Sequence, residues 1–303
     1  MIQHKYINLG KYTSRRANEE IPLHLEKYSC LSEMEESILK KGRSLVDPDH
    51  DFFEKGNIRP YFNGFSSSEE LRTLLRSGVN DTSAVRQVCR LRASRNAKDA
   101  VRTKKFDLMG EEVDVPAYLS GIPECMVDEA RVRKPYRGIR LVLDPIVSCG
   151  VTGKELTEAG LILARLVMAL EKTGRSVHLS VYSAFLPHEK DEVYFMSCDI
   201  KRSGTPLNAK KLLMCTHPSF FRGAGFTWIA RTADYCLNGL GATFSYIVNR
   251  HDMTLQLLKE NIYSDKDLYL VRVKDVLDML DECKRTPGWE NRLVNQLFEE
   301  FIR

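Results

Sequence analysis

One acidic residue follows an apolar strand in the middle of the chain. Asp144 closes the predicted strand 139–144, a short loop follows, and a long apolar helix then begins. In an open parallel sheet, ligands bind at the carboxyl ends of the strands, because loops and helix N-termini converge there. Asp144 is therefore placed where a carboxylate could hold a metal ion or meet a partner.

A strongly basic stretch runs from Arg72 to Lys105. It contains ten Lys or Arg residues and two acids, whereas the whole chain has a net charge of +4. Such a stretch can bind phosphates, so a nucleic-acid-binding accessory protein is one alternative. No aromatic residue lies between Phe65 and Phe106, so the stacking typical of single-strand binding is not indicated. We favour a basic surface that binds a protein partner, formed by Arg72, Arg76, Arg86, Arg90, Arg92 and Arg95.

The elements that must position these residues alternate between strand and helix from residue 138 onward. This alternation predicts an α/β fold, with a mostly parallel sheet and helices on both faces. The predicted strands are 139–144, 177–184, 193–199, 211–215, 243–249 and 268–273. The predicted helices are 154–172, 228–237, 254–259, 276–284 and 289–302. The connection 185–192 is too short for a crossover helix, so its two strands should form an antiparallel hairpin.

Residues 1–137 show a different pattern. A capping box at Ser67 and Glu70 begins a helix over 68–77, and a second, basic helix covers 82–96 after a break at Gly78. The sequence therefore predicts a mainly helical N-terminal region, 1–137, followed by an α/β domain, 138–303.

The order of elements over 139–303 resembles a von Willebrand factor A-type domain. That fold begins with a strand ending in Asp-x-Ser-x-Ser, followed by a long buried helix and an antiparallel hairpin. Asp144 and Ser148 match the first and last positions of this metal motif, while Ile146 replaces its middle serine. The resemblance implies a loop threonine, which would be Thr227, and a later acid, which would be Asp252. It thus implies a degenerate site for a divalent cation such as Mg²⁺, since water can fill a vacant ligand position.

A second alternative is a metal-dependent enzyme at the Asp144 crevice. His217 follows the predicted strand 211–215 at the same end of the sheet, where it could pair with Asp144 or Asp252. No activated serine or cysteine nucleophile is recognisable beside it. The eight cysteines form no Cys-x-x-Cys pair, so neither a zinc ribbon nor a thioredoxin-type site is indicated.

A further resemblance covers residues 61–185. The segment 114–126, Asp-Val-Pro-Ala-Tyr-Leu-Ser-Gly-Ile-Pro-Glu-Cys-Met, followed by the strand at 139, is similar to a family of uncharacterised bacteriophage proteins. That family implies a phage gene product and no particular activity.

These observations together favour protein binding without catalysis. The von Willebrand A-like fold is used chiefly for partner recognition, and with the phage resemblance it implies a factor that docks onto a host protein complex. The most specific version is an anti-defence inhibitor, with a Gabija-type nuclease complex as one target, and a homo-oligomer is a further expectation. No apolar run approaches the ~20 residues of a membrane span. Residues 1–9 lack the apolar core of a signal peptide, so we expect the host cytoplasm and no membrane partner.

Overall fold

A computed structural model of the chain describes residues 3–8, 20–39, 64–93, 100–107, 112–123, 125–133, 137–148, 150–172, 175–185, 192–233, 251–283 and 289–302. The strands are β1 (Gln3–Asn8), β2 (Glu20–Tyr28), β3 (Ala100–Asp107), β4 (Glu112–Val113), β5 (Met126–Arg133), β6 (Arg137–Asp144), β7 (Arg175–Phe185), β8 (Val193–Lys201) and β9 (Leu268–Arg272).

Helices fill most of the other described ranges. They are α1 (Leu31–Ile38), α2 (Ser68–Ser77), α3 (Thr82–Ala93), α4 (Val115–Leu119), α5 (Gly153–Lys172), α6 (Ala209–Thr216), α7 (Phe226–Ala233), α8 (His251–Leu257), α9 (Val273–Cys283) and α10 (Trp289–Ile302). Two π-helical segments, Ser219–Gly225 and Leu258–Ile262, lead into α7 and continue α8.

The larger sheet has six strands in the order β1-β2-β8-β7-β6-β9. The predicted α/β class is confirmed, but the sheet is mixed rather than mostly parallel. β2/β8, β6/β7 and β6/β9 are parallel pairs, whereas β1/β2 and β7/β8 are antiparallel. The β7/β8 pair is the predicted hairpin, whose short connection reverses the chain direction.

The N-terminal region is not mainly helical over its described residues. β1 and β2 extend the large sheet at its β8 edge, so strands from both sides of residue 137 share one sheet. β3, β5 and β4 form a second, antiparallel sheet of three strands. The helices predicted at 68–77 and 82–96 are present as α2 and α3, although α3 is described only to Ala93.

One predicted strand is a helix. Residues 211–215 belong to α6, whose first turn is capped by Asn208 accepting a hydrogen bond from the Lys211 N–H. Its apolar run is buried on all sides. Hydrophobic periodicity cannot distinguish a short, fully buried strand from a short, fully buried helix. The predicted strand 243–249 lies outside the described residues.

Two layers of apolar side chains hold the large sheet between helices. On one face, α5 packs its buried Leu163 and Leu166 against Leu141 and Val181 of the central strands, together with α1, α6 and α9. On the other face, Leu258 and its neighbours cover a second layer that includes Val142 and Phe195. The sheet's carboxyl end at Asp144 is thus enclosed by structure on both faces.

Candidate functional site

Asp144 lies at the end of β6 and is fully buried. Its Oδ1 accepts a hydrogen bond of 3.0 Å from the Ile146 N–H, and its Oδ2 accepts one of 2.9 Å from the Tyr182 hydroxyl. Burial raises the pKa of Asp144 to about 6, although these hydrogen bonds and the nearby Arg272 oppose that rise. Both oxygens of the carboxyl therefore already have protein donors.

The loop after β6 is held by a buried arginine. Arg222, in the π-helical segment before α7, donates from Nη2 to the carbonyl oxygens of Ser148 at 2.8 Å and Val151 at 3.3 Å. The Ser148 side chain is exposed, and its Oγ accepts a hydrogen bond of 3.4 Å from the Gly150 N–H. A guanidinium thus fixes this loop through its backbone, because its planar donors match two carbonyls at once.

The other predicted metal ligands have separate environments. Thr227 is buried on α7, and its hydroxyl donates to the Gly223 carbonyl at 2.9 Å. Asp252 belongs to α8, and its side chain lies outside the described residues. Among the described side chains, no hydrogen bond joins Asp144, Ser148 and Thr227 to one another. The cation site stays a prediction.

His217 lies at the C-terminal end of α6, where its side chain contacts the following π-helical segment. Its Nδ1 lies 2.9 Å from the Ser219 Oγ, whose hydroxyl donates to the Gly64 carbonyl at 2.9 Å. Burial lowers the pKa of His217 to about 4, so its imidazole is neutral at physiological pH. These contacts join the start of the π-helical segment to Gly64, four residues before α2 begins.

A small groove adjoins the loop after β6 that Arg222 holds. It has a volume of about 180 Å³ and lies between the loop, the start of α5 and one side of α9. Its lining residues are Val147, Ser148, Val151, Glu155, Lys274, Leu277, Asp278, Leu280 and Asp281. No group of three His, Cys, Asp or Glu within the described ranges is arranged to hold a metal ion.

Two of the predicted basic-surface residues form ion pairs with a buried carboxylate. Arg72 Nη1 lies 3.0 Å from Glu35 Oε1, and Arg76 Nε lies 2.8 Å from Glu35 Oε2. The Glu35 side chain is fully buried, and a buried carboxylate without a positive partner would be strongly destabilising. The ion pairs therefore hold both guanidinium groups against α1. Arg72 and Arg76 therefore compensate an internal charge.

The remaining basic residues are distributed over α3 and β3. Arg86 is exposed on α3, which also carries Arg90 and Arg92, whose side chains are not described; Arg95 lies outside the described residues. On β3, Lys104 and Lys105 stand opposite Glu129 and Asp128 of β5. By backbone register, this part of the basic stretch therefore lies opposite acidic positions of the neighbouring strand.

One segment exposes several apolar side chains, and this exposure was not predicted from the sequence. We call residues 113–122 the exposed apolar segment, in which Val113, Val115, Tyr118, Leu119 and Ile122 are 48–78% exposed. Asp114 caps α4 by accepting a hydrogen bond from the Ala117 N–H at 3.0 Å, which fixes the local backbone. The cap and Pro116 are visible in the sequence, but the exposure of the apolar side chains is not.

A larger groove lies along α3. It has a volume of about 380 Å³, and we call it the α3 groove. Its lining is mainly apolar: Val85, Val88, Cys89, Met168, Pro206, Leu207, Asn208, Ala209 and Lys210. Volumes of this size are typical of sites that take up a ligand or an anchoring side chain.

The fold and these surfaces define an α/β protein with a mixed six-stranded sheet. The chain belongs to the family described as Domain of unknown function (DUF7192), whose model matches residues 17–284. No curated protein and no solved structure matches the chain. None of the helices within the described ranges has the length and apolarity needed to cross a membrane.

Proposed function

We propose that this protein is a non-enzymatic protein-binding factor and that the exposed apolar segment is a contact surface. The segment contains five of the six large apolar side chains that are exposed among the described residues. Contiguous apolar side chains on the surface of a soluble protein mark interaction sites, because leaving them in water is unfavourable. This clustering is the observation that carries the proposal.

The chemistry of the segment fits a protein partner. Tyrosine and other large apolar residues contribute most of the binding energy in protein interfaces. Tyr118 is 64% exposed and Leu119 is 78% exposed, both on the short helix α4. The backbone there is fixed by the Asp114 cap, so little conformational entropy would be lost on binding.

The strand order supports a von Willebrand A-like assignment for residues 138–303. β6 ends on Asp144 and is followed by the buried helix α5, while the β7/β8 hairpin lies on one side of β6 and β9 on the other. In this proposal the fold serves partner recognition. The loop that resembles the metal motif is held by Arg222, a cation supplied by the protein itself.

We further propose a phage origin and a host target, from the resemblance of residues 61–185 to bacteriophage proteins. The factor would dock onto a host antiviral complex in the cytoplasm as an anti-defence inhibitor, and a Gabija-type nuclease complex is one target. The apolar segment supports docking as the mode of action, and the identity of the target rests on analogy.

Capture of bound proteins from infected cells tests the proposal with a matched pair of variants. Tyr118→Ser removes an exposed ring from the segment, whereas Tyr6→Ser removes a ring that is 71% exposed on β1. We expect Tyr118→Ser to weaken partner binding by ~30-fold, since truncating a central interface anchor costs about 2 kcal/mol. Tyr6→Ser should bind like the wild type. Equal capture by both variants would contradict the proposal.

A further inference from the structure

The α3 groove is preformed because two segments that border it approach each other closely. Gly78, between α2 and α3, has a φ of 76°, and a Cβ there would lie 2.5 Å from the Lys210 backbone carbon. The Val79 N–H also donates to the Lys210 carbonyl at 3.2 Å. The start of α6 is therefore fixed against the turn that leads into α3, and the groove between them keeps its shape.

The α3 groove combines apolar walls with basic groups. Val85, Val88 and Met168 supply aliphatic surface, and Lys210 belongs to the lining. Lys210 Nζ lies 3.1 Å from the Asn80 side-chain oxygen, which is a neutral partner, and Lys210 forms no ion pair with a carboxylate of the described residues. Arg86 is exposed on α3 itself. Among the described residues, no carboxylate lines the groove, so the groove suits an apolar group with acidic neighbours.

The exposed apolar segment has this complementary chemistry. Between β3 and β5, residues 108–125 contain four Asp or Glu and no Lys or Arg. The large side chains of Tyr118 and Leu119 project from α4 into solvent within this acidic stretch. One chain therefore carries both an acidic apolar projection and a basic apolar groove.

We infer that the exposed apolar segment of one copy docks in the α3 groove of a second copy. This inference rests on the proposed function and adds a second copy of the chain as a further partner of the same surface. Burial of Tyr118 and Leu119 in the groove contributes favourable free energy of binding, because apolar surface is removed from water. The acidic residues around the segment and the basic residues around the groove orient the two copies. Segment and groove are different surfaces, so the contact is heterologous, and repetition gives a ring or an open chain.

Sedimentation velocity over a range of protein concentrations tests this self-docking. Leu119→Lys places on the segment a charge that the basic groove repels, and Cys89→Arg places a bulky charged side chain at an exposed position in the groove. Each change should weaken self-association by at least ~30-fold, as expected for loss of a central anchor. Gln87→Arg, an exposed position on α3 outside the groove lining, is the matched control and should assemble like the wild type.

Mixing the two defective variants gives the sharpest test. The Leu119→Lys copy retains an intact groove, and the Cys89→Arg copy retains an intact segment. One functional contact therefore remains between them, because the other contact would bring the introduced lysine of one copy against the introduced arginine of the other. The equimolar mixture should form a heterodimer that grows no further, whereas each variant alone stays monomeric. Added salt should weaken the heterodimer, because the rim charges are screened. Thermal melts confirm that both variants are folded before mixing.

Two results would overturn the inference. One is a wild-type protein that is monomeric at every concentration, and the other is a mixture that fails to form the heterodimer. If the wild type is monomeric while Tyr118→Ser still loses its captured host protein, self-docking is wrong and the proposed function stands. If Tyr118→Ser changes neither capture nor self-association, both are wrong.

Discussion

Replacing Gly78 by alanine should destabilise the protein more than the same change at a glycine in open space. Gly78 combines a φ of 76° with a ψ of −178°, a backbone region that is nearly restricted to glycine. An added Cβ would also lie 2.5 Å and 2.6 Å from the carbonyl carbon and oxygen of Lys210. These atoms belong to the backbone at the start of α6, so neither can move aside as a side-chain end would.

The expected loss has two parts. Holding a residue other than glycine in this backbone region costs about 1–3 kcal/mol, and forcing a methyl group into packed structure costs about 1–3 kcal/mol. Gly78→Ala should therefore lower the free energy of unfolding by about 2–6 kcal/mol.

Gly204 provides the control. It has a φ of 78°, and nothing lies within 4 Å of the position of an added Cβ. Gly204→Ala should cost only the backbone contribution of about 1–2 kcal/mol. The entropy that either substitution removes from the unfolded chain is similar, so it cancels in the comparison. Urea unfolding measures both losses, and equal losses would refute the close approach of the α2–α3 turn to α6.

Three further predictions concern the core, the pH dependence and the basic helix. Leu163→Ala should lower stability by ~2–5 kcal/mol in a thermal or urea melt, because this side chain is fully buried on α5. Burial lowers the pKa of His217 to about 4, so the unfolded chain alone gains this proton and stability falls between pH ~6.5 and ~4. His217→Gln should remove about 3 kcal/mol of that fall relative to the wild type, and a constant difference would contradict it. Replacing Arg86, Arg90 and Arg92 by Ala should leave nucleic-acid retention at background; tight, salt-sensitive binding abolished by the change would favour the nucleic-acid alternative.

The central strands and helices could be predicted because their local patterns are unambiguous. The Ser67 cap begins α2 as predicted, with the Glu70 N–H donating to the Ser67 hydroxyl at 3.2 Å. The Glu70 carboxylate, however, accepts its hydrogen bond from the Ser66 N–H, one residue before the predicted partner. The helix α5 is long, apolar and capped, and the β7/β8 connection is too short for anything but a hairpin. In each case a physical constraint within some twenty residues decides the structure.

Long-range pairing could not be predicted in the same way. β1 and β2 join the sheet at β8, more than 150 residues away, and nothing local specifies that contact. The apolar run of α6 predicts a strand from its sequence alone. The Asn208 cap and the burial of the run on all sides, which show a helix, are seen only in the structure. The pairing of Glu35 with Arg72 and Arg76 likewise depends on the packing of α1 against α2.

At the candidate surfaces too, local features could be predicted from the sequence and long-range contacts could not. Asp144 was located at the end of its strand from the sequence, but the donors to its carboxyl are Tyr182 from β7 and a backbone group in the following loop. From the sequence, the region of the exposed apolar segment was identified only through the resemblance of residues 114–126 to bacteriophage proteins. Whether Tyr118 and Leu119 face water depends on what the rest of the chain covers, which a local pattern does not contain.

Hydroxyl-radical footprinting of the protein in its captured complex tests the central claim most directly. Tyr118 and Leu119 report on the segment, and the similarly exposed Tyr6 serves as an internal reference. Protein binding through the segment predicts that oxidation of Tyr118 and Leu119 falls severalfold in the complex relative to the free protein, while oxidation of Tyr6 is unchanged. Unchanged oxidation of Tyr118 and Leu119 in a complex that remains intact would contradict the claim.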